Sequence, residues 1–378
     1  MEFKFAHIAD IHARESNWDE ISECLTCVQR VCREQKIQFT IIAGDLWDHK
    51  LWAHSESFRG TVDWVVRMAT YGPVYILYGT PSHDVPGSHE IFKHVEAANP
   101  INVLSEVSTE HVYINDDTHE TMTKVCELAV LPHKIIAPEG DLEQTMATRR
   151  AAIEKYVGYL KEDPSSYPRI FIGHLAVVGC VIPQGTDGYE ISPVLLKDFD
   201  YAALGHIHPK DQKLPSNIQY SGSLWHTETG DTSEKGFYII TMRDKNIIKK
   251  EFINAGSHPV IKLDGHFTEK GVVLPNAEAV SNAKVRFTVY IPAKFRDAFN
   301  TKNVENDILA RGAYSCKVVP RVLQEDIEVV DFGYTRDVKP GDWKDKFAAY
   351  CEVSDIEVTE DVSKKVDHLI KEVGDEYP

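Results

Sequence analysis

No run of apolar residues in this 378-residue chain approaches the roughly 20 needed to span a bilayer as a helix. The opening Met1-Glu2-Phe3-Lys4-Phe5-Ala6-His7 has neither the basic nor the apolar stretch of a secretory signal, which is the expectation for a cytoplasmic protein. Cysteine is scarce and odd in number. Seven residues scattered along the chain suit a reducing compartment rather than a disulfide framework. Cys24 and Cys27 form a CxxC with Cys32 close behind, but no second pair stands at zinc-site spacing, so the three read as a buried helix face. Positive charge is in deficit, with 41 basic against 58 acidic side chains and a net charge of −17. That balance excludes a protein that grips nucleic acid over its whole surface. A polyanionic substrate would have to be met locally, by metal ions or by a basic partner. Repeats and low-complexity tracts are missing too, and the composition is globular: 43% hydrophobic, 26% charged.

Within that frame the first two hundred residues alternate short apolar runs with helical patterns. Phe3–Ala9, Phe39–Ala43, Val74–Tyr78, Glu127–Leu131, Ile170–Ile172 and Tyr201–Leu204 read as strands covered on both faces. Asn17–Gln35, Ser55–Thr70, Ser88–Ala98 and Leu142–Lys161 have helical length and spacing. The alternation predicts a layered α/β architecture. After Gly205 come strands without helices between them, at Ile218–Ser221, Gly236–Met242 and Ile247–Ile253. A break near Gly256 precedes a βαβ-like unit: Val285–Ile291, a helix over Phe295–Arg311, and Tyr314–Val319. Beyond Lys339-Pro340-Gly341 two amphipathic stretches carry Trp343, Phe347 and Tyr350 on one face and Val362, Val366 and Leu369 on another. The expected organisation is a domain over 1–256, a smaller α+β domain over 257–333, and a helical tail over 334–378.

Chemistry-bearing residues stand where these strands end: Asp10-Ile11-His12, Gly44-Asp45-Leu46-Trp47-Asp48, Gly79-Thr80-Pro81-Ser82-His83-Asp84, Gly173-His174 and Gly205-His206-Ile207-His208. α/β sheets bind ligands at the carboxyl ends of their strands, so the series is expected to converge on one rim. Three of the motifs place glycine before the polar residue, which predicts a sharp backbone turn there. A mixed Asp/His set suits Mn²⁺, Fe²⁺ or Zn²⁺ better than all-oxygen ions. Two ions sharing a site need a bridging carboxylate, and Asp45 is the natural one. A protonated imidazole beside the leaving oxygen would complete a phosphoester displacement, and His83 is suitably placed. Singly, each motif is weak. His7, His89, His94, His111, His119 and His133 read as ordinary histidines.

The ordered series resembles the calcineurin-like metallophosphoesterases, whose motifs run D-x-H, G-D-x-x-D, G-N-H-D/E, G-H and G-H-x-H. Tyr201-Ala202-Ala203-Leu204-Gly205-His206-Ile207-His208, with Ser221-Gly222-Ser223 after it, is similar to the SbcD-type DNA nucleases of bacteria and phages. The resemblance implies a two-sheet metallophosphoesterase sandwich flanked by helices, a capping domain over 257–333, and two divalent ions, Mn²⁺ ahead of Mg²⁺. One ion would sit on Asp10, His12, Asp45 and His208, the other on Asp45, His174, His206 and the equivalent of the family's asparagine. That asparagine is missing here, and Ser82 is the expected substitute. His83 would act on the leaving group, with Asp84 orienting its ring and Asp48 supporting the site. The resemblance further implies DNA as substrate, with exonuclease and single-strand or hairpin endonuclease activity, a homodimer, and docking of the tail on an SMC-like ATPase of SbcC type. Trp52, Phe58, Trp64 and Val65 could supply part of the dimer interface, although a helix packed on its own sheet would use the same residues. A small-molecule or phosphoprotein phosphoesterase and a non-catalytic scaffold are the alternatives; the appendage and tail favour the nuclease over the first, the remaining ligands and His83 over the second.

Overall fold

The computed structural model describes residues 1–115, 121–133, 142–161, 165–181 and 190–323. Four parallel strands open the chain: β1 (Glu2–Ile8), β2 (Phe39–Ile42), β3 (Val74–Leu77) and β4 (Ile101–Leu104). Two helices lie between them, α1 (Trp18–Gln35) and α2 (Glu56–Met68). β5 (Ser108–Asn115) pairs antiparallel with β6 (Met122–Leu131), and α3 (Leu142–Lys161) leads to β7 (Arg169–His174). A short parallel pair follows, β8 (Ala176–Val177) with β9 (Glu190–Ile191), then β10 (Tyr201–Gly205) and β11 (Ile218–Tyr220). The hairpin β12 (Gly236–Arg243) and β13 (Asn246–Asn254) returns to pair antiparallel with β1. The result is a six-stranded sheet in the order β13-β12-β1-β2-β3-β4 and a five-stranded sheet in the order β11-β10-β7-β6-β5. The rest comprises β14 (Val260–Thr268), β15 (Gly271–Val272), α4 (Ala277–Val280), β16 (Lys284–Pro292), α5 (Thr301–Ala310) and β17 (Ser315–Leu323), with a four-stranded sheet ordered β15-β14-β16-β17.

Period-2 alternation builds the layers. Phe3 and Phe5 of β1 meet Phe39 and Ile41 of β2 and Ile170, Ile172 and Tyr201 of the other sheet, so the two sheets share one core. Ala6 and Ile8, on the opposite face, pack with Ile21, Leu25 and Val28 of α1 and Trp64, Val65 and Met68 of α2. Phe171, Ala202 and Leu204 face Val157 and Leu160 of α3. Each strand is thus covered on both sides, the physical reason its sequence reads as a nearly continuous apolar run. Phe5 and Phe39 stack at 4.8 Å, and each such buried ring contributes about 1.5–3 kcal/mol. α2 begins where the Ser55 hydroxyl accepts a hydrogen bond from the Phe58 amide, and α1 ends at Lys36 in the left-handed conformation.

The chain divides into two compact units. The first is Met1–Gly265, Val273–Thr288 and Asn300–Val319; the second, among the described residues, is His266–Val272, Val289–Phe299 and 320–323. In the first, a buried ion pair joins Lys284 to Glu20 of α1 at 2.6 Å, and the same ammonium lies 4.6 Å from the Trp225 ring centre. In the second, Phe267 packs edge-on against Phe295 and Phe299.

Several expectations need correction. Ser88–Ala98 is not a helix: only a 3-10 turn at Glu90–Lys93 forms, followed by β4, which the pattern missed. Phe295–Arg311 is broken at Phe299, whose backbone is extended, and α5 starts afresh with the Asn300 side chain capping the Asn303 amide. Of the residues left open between a dimer and the sheet, Trp64 and Val65 are buried in the core and Phe58 stacks on Trp47 at 5.2 Å, so these three take the packing alternative. Trp52 alone of the four is exposed. Cys24 and Cys32 are buried, as the helix-face reading requires, whereas Cys27 is only half-buried; burial pushes the two buried thiols up to about 12. Trp343, Phe347, Tyr350 and the rest of the 334–378 tail lie outside the described residues.

His7, assigned no role from sequence, is fully buried in β1; its Nε2–H donates to the Leu204 carbonyl at 3.2 Å and its Nδ1 accepts from the Tyr201 hydroxyl at 2.8 Å. Burial pulls its pKa from 6.5 down to about 3. The folded protein therefore keeps it neutral while the unfolded chain takes up a proton below pH 6.5. Its stabilisation is complete above that pH and is lost as the pH falls toward 3, at up to ~1.4 kcal/mol per pH unit. Denaturation midpoints of His7→Gln are expected to fall less steeply than those of the wild type over this window. Parallel curves would remove His7 from the account.

Candidate metal centre

The loops after β1, β2, β3, β7 and β10 bring the candidate residues together. Asp10, His12, Asp45 and His174 are almost fully buried, His206 is 8% exposed, and the His208 side chain is 25% exposed. Among the described residues, three groups have ligand atoms close enough to hold a cation: Asp10, His12 and His208; Asp10, Asp45 and His174; and His12, Asp48 and His83. Asp45 lies between two of the imidazoles, its Oδ2 3.7 Å from His12 Nε2 and 3.2 Å from His174 Nε2. The His206 amide donates to both oxygens of Asp10, at 3.0 and 3.1 Å, and its ring lies 5.1 Å from that of His174.

The turn at these strand ends differs from the expected glycine turn. Asp10, His12, Asp45 and His206 themselves occupy positive φ, at 50°, 45°, 51° and 91°. Such angles are uncommon outside glycine, and four at one site is a concentration of backbone strain. Of the glycines preceding polar residues, Gly44 shares this conformation. Gly205 is required instead for clearance: a Cβ there would stand 2.1 Å from the Ala43 carbonyl oxygen.

Second ring nitrogens are anchored by backbone carbonyls, which can only accept. His174 Nδ1–H donates to Ala43 at 2.8 Å, and His83 Nδ1–H donates to Asp48 at 2.6 Å. Nε2 of each ring is thereby left for the site. The Asp48 carbonyl, rather than the expected Asp84, orients His83. Asp84 is buried and accepts from the amides of Asp45, Gly79 and Trp47 at 3.0, 2.8 and 3.1 Å, fastening the loop after β2 to the loop after β3. The Asp48 carboxylate stands 3.6 Å from both His12 Nδ1 and the Arg14 guanidinium.

Protonation states follow from burial and charge. Burial drives the His12 imidazole well below its ordinary value and His208 down to about 4, so both present lone pairs. Their Nε2 atoms approach to 3.1 Å. Burial raises Asp10. It pushes Asp45 up as well, but the imidazoles of His174, His12 and His83 outweigh it and hold that carboxyl below the usual range. Burial pulls on His174 in the other direction, yet Asp45 and Asp10 lift it to about 9. A proton on His174 thus balances carboxylate charge that a divalent cation can take over. Buried carboxylates, neutral imidazoles with converging Nε2 atoms and anchored tautomers fit such an ion.

Ser82 is exposed, and among the described residues no hydrogen bond joins its side chain to Asp45 or His174. Thr80 stands there. Its amide donates to Asp45 Oδ1 at 2.6 Å, and its hydroxyl is 3.4 Å from Asp45 Oδ2 and 3.3 Å from His174 Nε2. Thr80→Val keeps the shape and removes this oxygen; it should weaken metal binding by about 10- to 100-fold in a calorimetric titration, whereas Ser82→Ala should change it little. The reverse ranking would return the position to Ser82. His133, read from sequence as ordinary, also borders the site. Its Nδ1–H donates to the His174 carbonyl at 2.7 Å, and its ring lies 5.6 Å from His206. It directly follows a strand end, Leu131-Pro132, which was the available signal.

The calcineurin-like phosphoesterase family profile matches residues 3–210. The chain is 23% identical over 353 residues to the DNA double-strand break repair protein Mre11 of Methanopyrus kandleri, covering 87% of this chain and 72% of that protein. It is 24% identical over 259 residues to the protein of the same name from Archaeoglobus fulgidus, covering 65% and 54%. One subunit of the nuclease SbcCD, from Staphylococcus saprophyticus, is 28% identical over 116 residues, covering 29% of this chain and 31% of that one.

Proposed function

Because this chain belongs to the calcineurin-like phosphoesterase family, a family of metal-dependent hydrolases, we propose that it is a DNA phosphodiesterase of the nuclease branch, using two divalent ions. The observation that carries this reading is the juxtaposition of His83 with the metal centre: the ring centres of His83 and His12 lie 4.6 Å apart, and only Nε2 of His83 remains to move a proton. Divalent ions held by Asp10, His12, Asp45, His174, His206 and His208 would polarise the phosphoryl oxygens and lower the pKa of the attacking water. The mixed nitrogen and oxygen donors favour Mn²⁺ over Mg²⁺. Asp84 keeps the β2 and β3 loops in register, Thr80 orients Asp45, and His83 delivers the proton that the departing 3′ or 5′ oxygen needs. DNA is preferred to a small phosphoester by the names of the relatives, each concerned with DNA breaks or nuclease action.

The partner assignment extends this proposal. Residues 257–333 would form a DNA-binding capping domain, the 334–378 tail would dock on an SMC-like ATPase, and the chain would act as a homodimer in the cytoplasm. None of the described helices is long and apolar enough to cross a membrane. The deciding experiment supplies Mn²⁺ and compares a labelled DNA duplex, a single strand, a phosphopeptide and a chromogenic phosphodiester, each with and without a chelator. Chelator-sensitive cleavage of DNA supports the reading. Turnover of the phosphopeptide or small ester with intact DNA would replace it with the small-substrate alternative.

A further inference from the structure

Beside the metal centre lies a second feature that the catalytic residues leave unused. A cleft of about 560 Å³ is lined by Trp52, His54, His49, Lys50, Arg59 and Glu15, among others. That volume falls within the range of ligand sites, roughly 300–1,000 Å³. Trp52 is 71% exposed, an unusual position for the largest apolar side chain, and the His54 ring lies nearly parallel to it at 22°, with centres 6.2 Å apart. Lys50 and Arg59 share the lining with Glu15 and Glu56, but the Glu15 carboxylate is already engaged. It accepts from the Ser57 hydroxyl and from the amides of Ser57 and Glu56 at the start of α2.

A hydrogen bond joins the cleft to the site: His49, which lines the cleft, is bonded to Asp48. Asp48 supplies the carbonyl that anchors His83, and its carboxylate faces His12 on one side and accepts from His49 Nδ1 at 3.1 Å on the other. A strand whose phosphate occupies the metal centre and which runs on past Asp48 and His49 would bring its neighbouring group to the cleft. In a DNA strand that group is a base: flat, uncharged and suited to an exposed indole.

We propose that this cleft seats an unpaired nucleobase next to the phosphodiester under attack, with Trp52 as the stacking surface and Lys50 and Arg59 beside the strand. The inference rests on the DNA reading above and adds a stacking subsite to it, which a base inside a duplex cannot use, because both its faces are already stacked. Stacking on one aromatic residue is insensitive to base identity, so little sequence preference is expected.

The test measures kcat/KM of the full chain with Mn²⁺ on a short oligodeoxythymidylate, on the same oligomer with abasic sites, and on bis(p-nitrophenyl) phosphate. For Trp52→Ala the ratio of oligothymidylate to ester should fall about 5- to 100-fold, Trp52→Phe should recover most of it, and the abasic oligomer should not distinguish the variants. Oligothymidylate should also quench the indole emission of the wild type more than that of Trp52→Phe. An unchanged ratio in Trp52→Ala, with the wild type cleaving both substrates, overturns the cleft and leaves the DNA reading standing. A wild type active on the ester alone overturns the DNA reading itself. A loss of dimer in Trp52→Ala at unchanged oligothymidylate affinity would assign the indole to a protein contact instead and overturn the inference.

Discussion

Replacing Asp45 with asparagine is expected to cut phosphodiester hydrolysis by roughly 10⁴-fold or more, because it disables the unit that the other ligands serve. No other carboxylate among the described residues lies between His12 and His174 while also accepting the Thr80 amide. Asparagine retains the acceptor for that amide and nearly the same volume, so the fold should survive and the loss should be chemical. Metal content by elemental analysis should drop from two ions per chain to one or none, in parallel with activity. Asp45→Ala should lose as much activity and more stability, since the Thr80 amide then has no acceptor in a partly buried place. Full activity in Asp45→Asn would remove the shared-carboxylate arrangement from the proposal.

His83→Ala should behave differently. Here the ions stay, and hydrolysis of DNA falls by about 10²- to 10⁴-fold, the range for a general acid. The loss should depend on the leaving group. A deoxyribose oxygen leaves as a strongly basic alkoxide and needs the proton, whereas p-nitrophenolate is stable unprotonated and needs it far less. The same variant should therefore lose much less on the chromogenic ester than on DNA. Equal losses on both substrates, or loss of metal, would make His83 a ligand or structural residue rather than a proton donor. Since His12, Asp48 and His83 also form one of the three candidate groups, this comparison discriminates between two roles that the geometry permits.

The candidate ligands were legible because sheet physics makes them so. An apolar strand buried on both faces ends abruptly where the chain turns to solvent or to a site, so Asp10, Asp45, His174 and His206 stand out at or just beyond its last residue. Contacts made by the backbone were not legible. Nothing local marks Asp84 as the acceptor of three amides from two loops, nor Thr80 rather than Ser82 as the neighbour of Asp45, because both depend on how β2 and β3 pair. The carbonyls that anchor His174 and His83 belong to residues 131 and 35 positions away. Among the elements, the helix expected over Ser88–Ala98 failed because its apolar spacing is shared by a sequence of turns in which His89 packs against Tyr78 at 4.1 Å. The strands at Ile101–Leu104 and Ser108–Asn115 escaped because they lie at sheet edges, where mixed polar and apolar residues blur the period.

The left-handed φ angles of Asp10, His12, Asp45 and His206 have an evolutionary consequence. At each of these positions glycine would relax the backbone, by about 1–2 kcal/mol per residue before the lost side-chain contacts are counted. Stability and catalysis therefore pull in opposite directions at the same codons. A lineage that kept the fold but no longer cut phosphodiesters would have little reason to retain these four residues, and they should be among the first to drift. In a descendant that had lost the chemistry, glycine at these codons would be the mark of a fold set free to relax.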